Sequence, residues 1–198
     1  MKKKIALVLS MVLLVVCTVS ATLAWLNDKT DTITNTFTVG NVDIKLEETG
    51  LEDNETEQDF KMTPGSEISK DPTVTVIADS EKCYVFVKIE KSANLGTYID
   101  YEVNAAWDSL SGETDVYYQI IDTATTDTAL NVIGHTDDEG KWVNDVILVK
   151  DTVSNTEMDA ADANAPTLKF TAYAVQFENM ENVAAAWTAA QAASEYGA

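Results

Sequence analysis

Beyond Thr30 the apolar residues of this chain recur at every second position, and that period constrains the fold class more than any other feature. The clearest run sets Ile99, Tyr101, Val103, Ala105 and Trp107 against Asp100, Glu102 and Asn104. A second places Cys83, Val85, Val87 and Ile89 on one face. From Thr30 to Val39, threonines occupy every even position, while Asp31, Ile33, Asn35, Phe37 and Val39 take the odd ones. After Gly40-Asn41 the parity shifts, and Val42, Ile44 and Leu46 continue on even positions, as a turn or bulge at Gly40 would require. Further strands are expected at Thr73–Ala78, Lys82–Lys91, Tyr98–Trp107, Val116–Ile121, Trp142–Val149 and Leu168–Phe177. Polar turns such as Ser109–Asp115 and Thr136–Gly140 separate them. In Met62-Thr-Pro-Gly65 a proline presets one turn position and a glycine supplies positive φ. About eight or nine short strands punctuated in this way predict an all-β chain, a jelly-roll-like antiparallel β-sandwich. Helical spacing is convincing only at Met180, Val183, Ala184, Trp187 and Gln191, a short C-terminal helix laid on the sandwich. Asp159–Ala165 is alanine-rich but short, and is expected to be a loop or a single helical turn.

The start of the chain is of another kind. Lys2, Lys3 and Lys4 precede an apolar run from Ile5 to Val19, and the small residues Ser20, Ala21 and Thr22 follow. A basic start, an apolar middle and a small-residue exit describe a secretory signal peptide over residues 1–24. Cleavage after Ala24 makes Trp25 the mature N-terminus and leaves residues 25–198 as a single domain. The alternative is an uncleaved anchor, which needs roughly 20 apolar residues and reaches that length only if Leu23–Leu26 are counted. Val16 before Cys17 argues against lipidation of that cysteine.

The chain carries 33 acids and 13 lysines, no arginine, and a net charge of -20. Removing residues 1–24 takes away three lysines and no acid, and carries the charge to -23. Such a surface repels phosphate backbones and anionic lipids, so neither nucleic acid nor, after cleavage, membrane is an expected partner. Only Cys83 then remains, which leaves no intramolecular disulfide, and its apolar strand makes it a buried small hydrophobe.

Catalytic chemistry is sparse. His135, the only histidine, sits in Gly-His-Thr-Asp-Asp-Glu-Gly and is expected to be solvated in a polar turn. No His-Glu-x-x-His, Gly-x-Ser-x-Gly or phosphate-cradling glycine loop occurs. The sequence therefore points to no catalytic residue, no metal ligand set and no cofactor. The acidic stretches Glu47–Asp59 and Asp137–Glu139 offer oxygen ligands for calcium but lack EF-hand spacing.

Thr22-Leu-Ala-Trp-Leu-Asn-Asp28, followed by Asn35-Thr-Phe-Thr-Val-Gly-Asn-Val-Asp-Ile-Lys-Leu46, resembles the start of TasA/camelysin-like proteins. Met62–Asp71 is similar to that family's Pro-Gly turn with its following lysine. Lys82–Glu90 is similar to the strand after it, and Ala172–Gln176 with Ala186-Trp187 to the closing strand and helix. The resemblance implies a jelly-roll-like sandwich exported through a SipW-type signal peptidase at a Gram-positive-type cell surface. It also implies assembly into extracellular biofilm fibres, in which an N-terminal strand of one subunit completes the sheet of the next. The camelysin side of the family implies a metalloprotease, for which this sequence has no recognisable zinc ligands.

The expected function is thus a secreted structural subunit of matrix fibres that self-associates by strand addition, not an enzyme. Thr30–Val39 is the candidate assembly strand, with Ile33, Phe37 and Val39 as pocket-filling side chains and Gly40 as the hinge. The alternatives are a monomeric adhesin or carbohydrate-binding module using exposed aromatics such as Tyr117 or Trp142, and a camelysin-like metalloprotease.

Overall fold

The computed structural model describes residues 4–5, 41–49 and 58–195, apart from the side chains of residues 162, 194 and 195. The chain divides into two units, Met1–Thr38 and Val39–Ala198. Of the first only Lys4 and Ile5 are described, and both are helical. Among the described residues no helix is long and apolar enough to cross a membrane.

The second unit is built from short antiparallel strands. β1 (Ile44–Glu47), β2 (Glu67–Ser69) and β3 (Thr73–Val76) lead into β4 (Cys83–Lys91), which spans nine residues. A helical turn, α1 (Leu95–Tyr98), is followed by β5 (Ile99–Asp100), β6 (Glu102–Val103) and β7 (Asp108–Ser109). Then come β8 (Val116–Ile121), β9 (Thr128–Asn131), β10 (Ile133–Thr136), β11 (Trp142–Asn144) and β12 (Val146–Val149). The chain closes with α2 (Asn155–Ala163), β13 (Leu168–Gln176) and α3 (Val183–Glu195). The strands form four small sheets, ordered β13-β4-β8-β7, β1-β3-β9, β11-β10-β6 and β2-β12-β5.

β4 is the centre of the fold because both of its faces are apolar. Cys83, Val85, Val87 and Ile89 face the main core, which Val74, Val76, Val132, Ile133, Ile147 and Val149 fill from the three smaller sheets. Tyr84 and Phe86 face the other way, where Ala186, Trp187 and Ala190 of α3 cover them. The small alanines let the helix approach closely, and the Trp187 ring wedges in. It lies 5.2 Å from the ring of Phe86 and 5.1 Å, edge-on, from that of Tyr173. Full burial of side chains such as Phe86, Val85 and Val87 stabilises the fold by roughly 1.5–3 kcal/mol each. The chain is therefore an all-β sandwich with a short C-terminal helix docked outside the four-stranded sheet, as the alternation predicts.

The turn at Thr63–Ser66 also forms as expected. The Ser66 amide donates to the Thr63 carbonyl at 2.9 Å, and Gly65 supplies φ +75° at the third position. Elsewhere the tertiary structure redraws the expected elements. The alternation at Tyr98–Trp107 is interrupted: Ile99–Asp100 pairs with β12, whereas Glu102–Val103 pairs with β10. One polar-apolar rhythm here serves two sheets, and the Asn104 side chain ends it by accepting from the Ala106 amide at 3.0 Å. Trp142–Val149 is likewise split at Asp145, whose φ is +65° and whose carboxylate accepts from the Asn131 side-chain Nδ2 at 2.9 Å. Of Asp159–Ala165, expected to be a loop or a single turn, Asp159–Ala163 belongs to the nine-residue α2 and Asn164 caps its end. Ser154 and Glu157 form a capping box there, with the Glu157 carboxylate accepting from the Ser154 amide at 2.8 Å.

Candidate functional site: the open edge of β13

The residues expected to carry export and assembly, namely Ala24, Trp25, Ile33, Phe37, Val39 and Gly40, lie outside the described residues. What the structure supplies is the sandwich to which they attach. β13 pairs with β4 through nine consecutive residue pairs, from Leu168↔Lys91 to Gln176↔Cys83, without a bulge. The Phe177 amide donates to the Lys82 carbonyl at 2.8 Å and the Ser92 amide to the Thr167 carbonyl at 2.9 Å. These bonds fix the parity of the ladder: odd-numbered residues of β13 exchange hydrogen bonds with β4. The amides and carbonyls of Leu168, Phe170, Ala172, Ala174 and Gln176 consequently point away from β4. Among the described residues no strand pairs with that side, although β1 packs against β13 without a ladder between them.

The side chains of β13 divide in the same way. Leu168, Phe170 and Ala172 pack on the main core, and Tyr173 and Val175 on the helix side. Edge strands are commonly blunted by proline, bulges or inward charge, and β13 has only Lys169. A straight, nine-residue, half-buried edge of this kind is a template for an added strand.

The point at which the N-terminal segment joins the sandwich is held firmly. The Glu81 amide donates to the Asn41 carbonyl at 2.9 Å and the Ile77 amide to the Asp43 carbonyl at 3.0 Å. The Asp43 amide donates to the buried Ser80 hydroxyl at 3.2 Å. Val42 and Ile44 then enter the core.

Three other sequence candidates receive definite positions. Cys83 is fully buried in β4, and burial pushes its thiol up to about 11. His135 is not in a solvated turn. It belongs to β10, opposite Val143, with 6% of its surface exposed and no hydrogen-bond partner for Nδ1. The polar sequence hid this: His135 lies two residues after the fully buried Ile133 and so on the same, inward face of β10. Replacement of His135 thus acts first on packing. Trp142 is no free platform either: a Cβ at Gly134 would lie 2.6 Å from its ring, so the indole covers that glycine across the ladder. Its Nε1 donates to the Asn144 side-chain oxygen at 2.5 Å. Tyr117 remains half-buried and lines a separate cleft with Tyr101.

Among the described residues, no group of three or more histidine, cysteine, aspartate or glutamate side chains is gathered for a metal ion. Sequence reading identified β13 as a strand but not its place at the end of the sheet among the described strands, which depends on pairing and leaves no local signal. No family model, curated protein or solved structure matches this chain.

Proposed function

We propose that the protein is a secreted structural subunit of extracellular matrix fibres, assembled when the Thr30–Val39 segment of one copy adds to the open edge of β13 in another. The observation that carries this reading is the outward row of backbone groups at Leu168, Phe170, Ala172, Ala174 and Gln176, with which no strand among the described residues pairs. A threonine-rich donor favours extended backbone, and Ile33, Phe37 and Val39 supply apolar side chains on one face. The joint at Asn41 is clamped to the Ile77–Glu81 turn, which gives the sandwich a fixed point directly after the proposed donor segment. Export begins with the leader at residues 1–24, cut between Ala24 and Trp25 by a SipW-type signal peptidase. The net charge of -23 left after cleavage keeps copies apart at low ionic strength and makes assembly favour added salt.

The test is a proline at Ala174, whose amide faces the open edge and not β4. Ala174→Pro removes one donor of the acceptor ladder and leaves the β4 bonds intact. The expected result is a folded protein that forms no filaments under electron microscopy, whereas wild-type filaments form under the same conditions. Normal filaments from the folded variant would refute addition at this edge. A wild-type protein that stays monomeric, with its own Thr30–Val39 segment protected from hydrogen exchange, would mean that each sandwich closes its own edge.

A further inference from the structure

Away from the β13 edge, the end of β4, the turn α1, the β5–β6 segment and the start of β8 enclose an open cleft of about 800 Å³. Its volume lies within the range of small-molecule sites. Two half-buried tyrosines, Tyr101 and Tyr117, line it. Beside them the Lys91 ammonium lies 2.8 Å from the Asp115 carboxylate. That hydrogen bond raises the Lys91 pKa, and burial raises that of the Tyr101 phenol, so both groups keep their protons at neutral pH.

The charge pattern around this cleft is unlike that of the rest of the protein. Acids outnumber lysines 33 to 13 over the chain, yet each lining carboxylate has its own lysine. Asp115 pairs with Lys91, Glu90 with Lys88 at 3.2 Å, and Asp100 with Lys150 at 3.2 Å. A cation finds no excess negative charge here, and an anion meets three carboxylates. Neutral walls with aromatic faces, hydroxyl-accepting carboxylates and an ammonium donor match a neutral polyhydroxyl ligand.

We propose that this cleft binds a neutral saccharide segment, stacked on Tyr101 and Tyr117 and hydrogen-bonded through its hydroxyls to the Lys91–Asp115 pair. The site is separate from the open edge of β13 and its occupancy requires no assembly. A fibre built from such subunits would carry one saccharide site per copy.

The test is titration of the full-length chain with cellohexaose, maltohexaose and chitohexaose, read by amide chemical shifts and calorimetry, beside an array of neutral glycans. At least one saccharide should bind at millimolar concentration or below and shift the amides of Ser92, Gly96, Tyr101 and Tyr117. Tyr117→Ala and Tyr101→Ala should each weaken that binding by about tenfold while their melting transitions stay cooperative. Tyr117→Phe, which keeps the stacking face, should retain most of it. Binding unchanged in a folded alanine variant would overturn the proposal, as would shifts confined to other residues or no binding by any neutral glycan. Preferential binding of a lysine-rich peptide at the same amides would also overturn it, in favour of a protein ligand. The wild-type shift map decides the matter even if both alanine variants fail to fold.

Discussion

The Lys70 ammonium lies 2.8 Å from both carboxylate oxygens of Glu48, and the pair is largely shielded from water. The rings of Phe60 and Phe170 flank the same nitrogen at 5.2 and 5.6 Å. This contact ties the chain just after β1 to the residue that follows β2, and both to β13. Such a site holds a charge in a low-dielectric setting only because its counter-charge is fixed beside it.

Removing one partner should therefore cost more than removing both. Lys70→Met leaves the Glu48 carboxylate shielded and unpaired, and should lower unfolding stability by about 3–5 kcal/mol in urea titrations. The double variant Lys70→Met/Glu48→Gln should recover at least half of that loss. Equal losses in the single and double variants would show that the pair contributes little beyond its packing.

Trp187 gives a contrast between volume and polarity. Its indole Nε1 is buried without a hydrogen-bond partner, while its rings fill the space between Phe86 and Tyr173. Trp187→Ala should cost about 3–5 kcal/mol, because α3 loses its wedge. Trp187→Phe should cost no more than about 1.5 kcal/mol, since loss of the unpartnered donor offsets lost area. Thermal or urea unfolding followed by circular dichroism measures both.

Gly134 should tolerate no side chain. A Cβ there would meet the Val143 carbonyl oxygen at 2.2 Å and the Trp142 ring at 2.6 Å. Gly134→Ala is expected to lose about 1–3 kcal/mol or more through displacement of Trp142 and strain between β10 and β11. Trp142 fluorescence should report the displacement directly. An unchanged spectrum and midpoint would mean that the ladder relaxes freely.

Cys83 makes stability depend on alkaline pH. Its thiol has an ordinary value of 9.0 when exposed and about 11 in the fold. Because the folded value is the higher one, the neutral thiol's contribution is fully present below pH 9.0 and is lost as pH rises toward 11. The loss over that interval should be roughly 2–3 kcal/mol. A Cys83→Ala variant should lack this component, so its stability deficit relative to wild type should shrink with rising pH. A thiol reagent should label Cys83 only as fast as the protein unfolds.

Much of the fold was legible because burial on a pleated strand imposes period two. Val116–Ile121 has the bounds that the sequence predicts, and β4 and β13 differ by one residue at one end. The C-terminal helix docks with Val183 and Trp187 inward, as its spacing requires, while Met180, expected in the same helix, packs beside them from the segment before it. The Thr63–Ser66 turn follows from proline and glycine chemistry, which acts over four residues and needs no distant partner. Where the reading failed, the deciding partner was remote in sequence. Tyr98–Trp107 keeps one alternation while pairing in two sheets, and His135 is buried on the face of β10 that it shares with Ile133. Periodicity records which face of a strand is apolar and carries nothing about which neighbour completes its ladder. The outer side of β13, which no described strand pairs with, and the cleft lined by Tyr101 and Tyr117 are both consequences of pairing, the second being the space where β4, β5, β6 and β8 converge. Those features arise from contacts between residues far apart along the chain, and only the tertiary structure decides them.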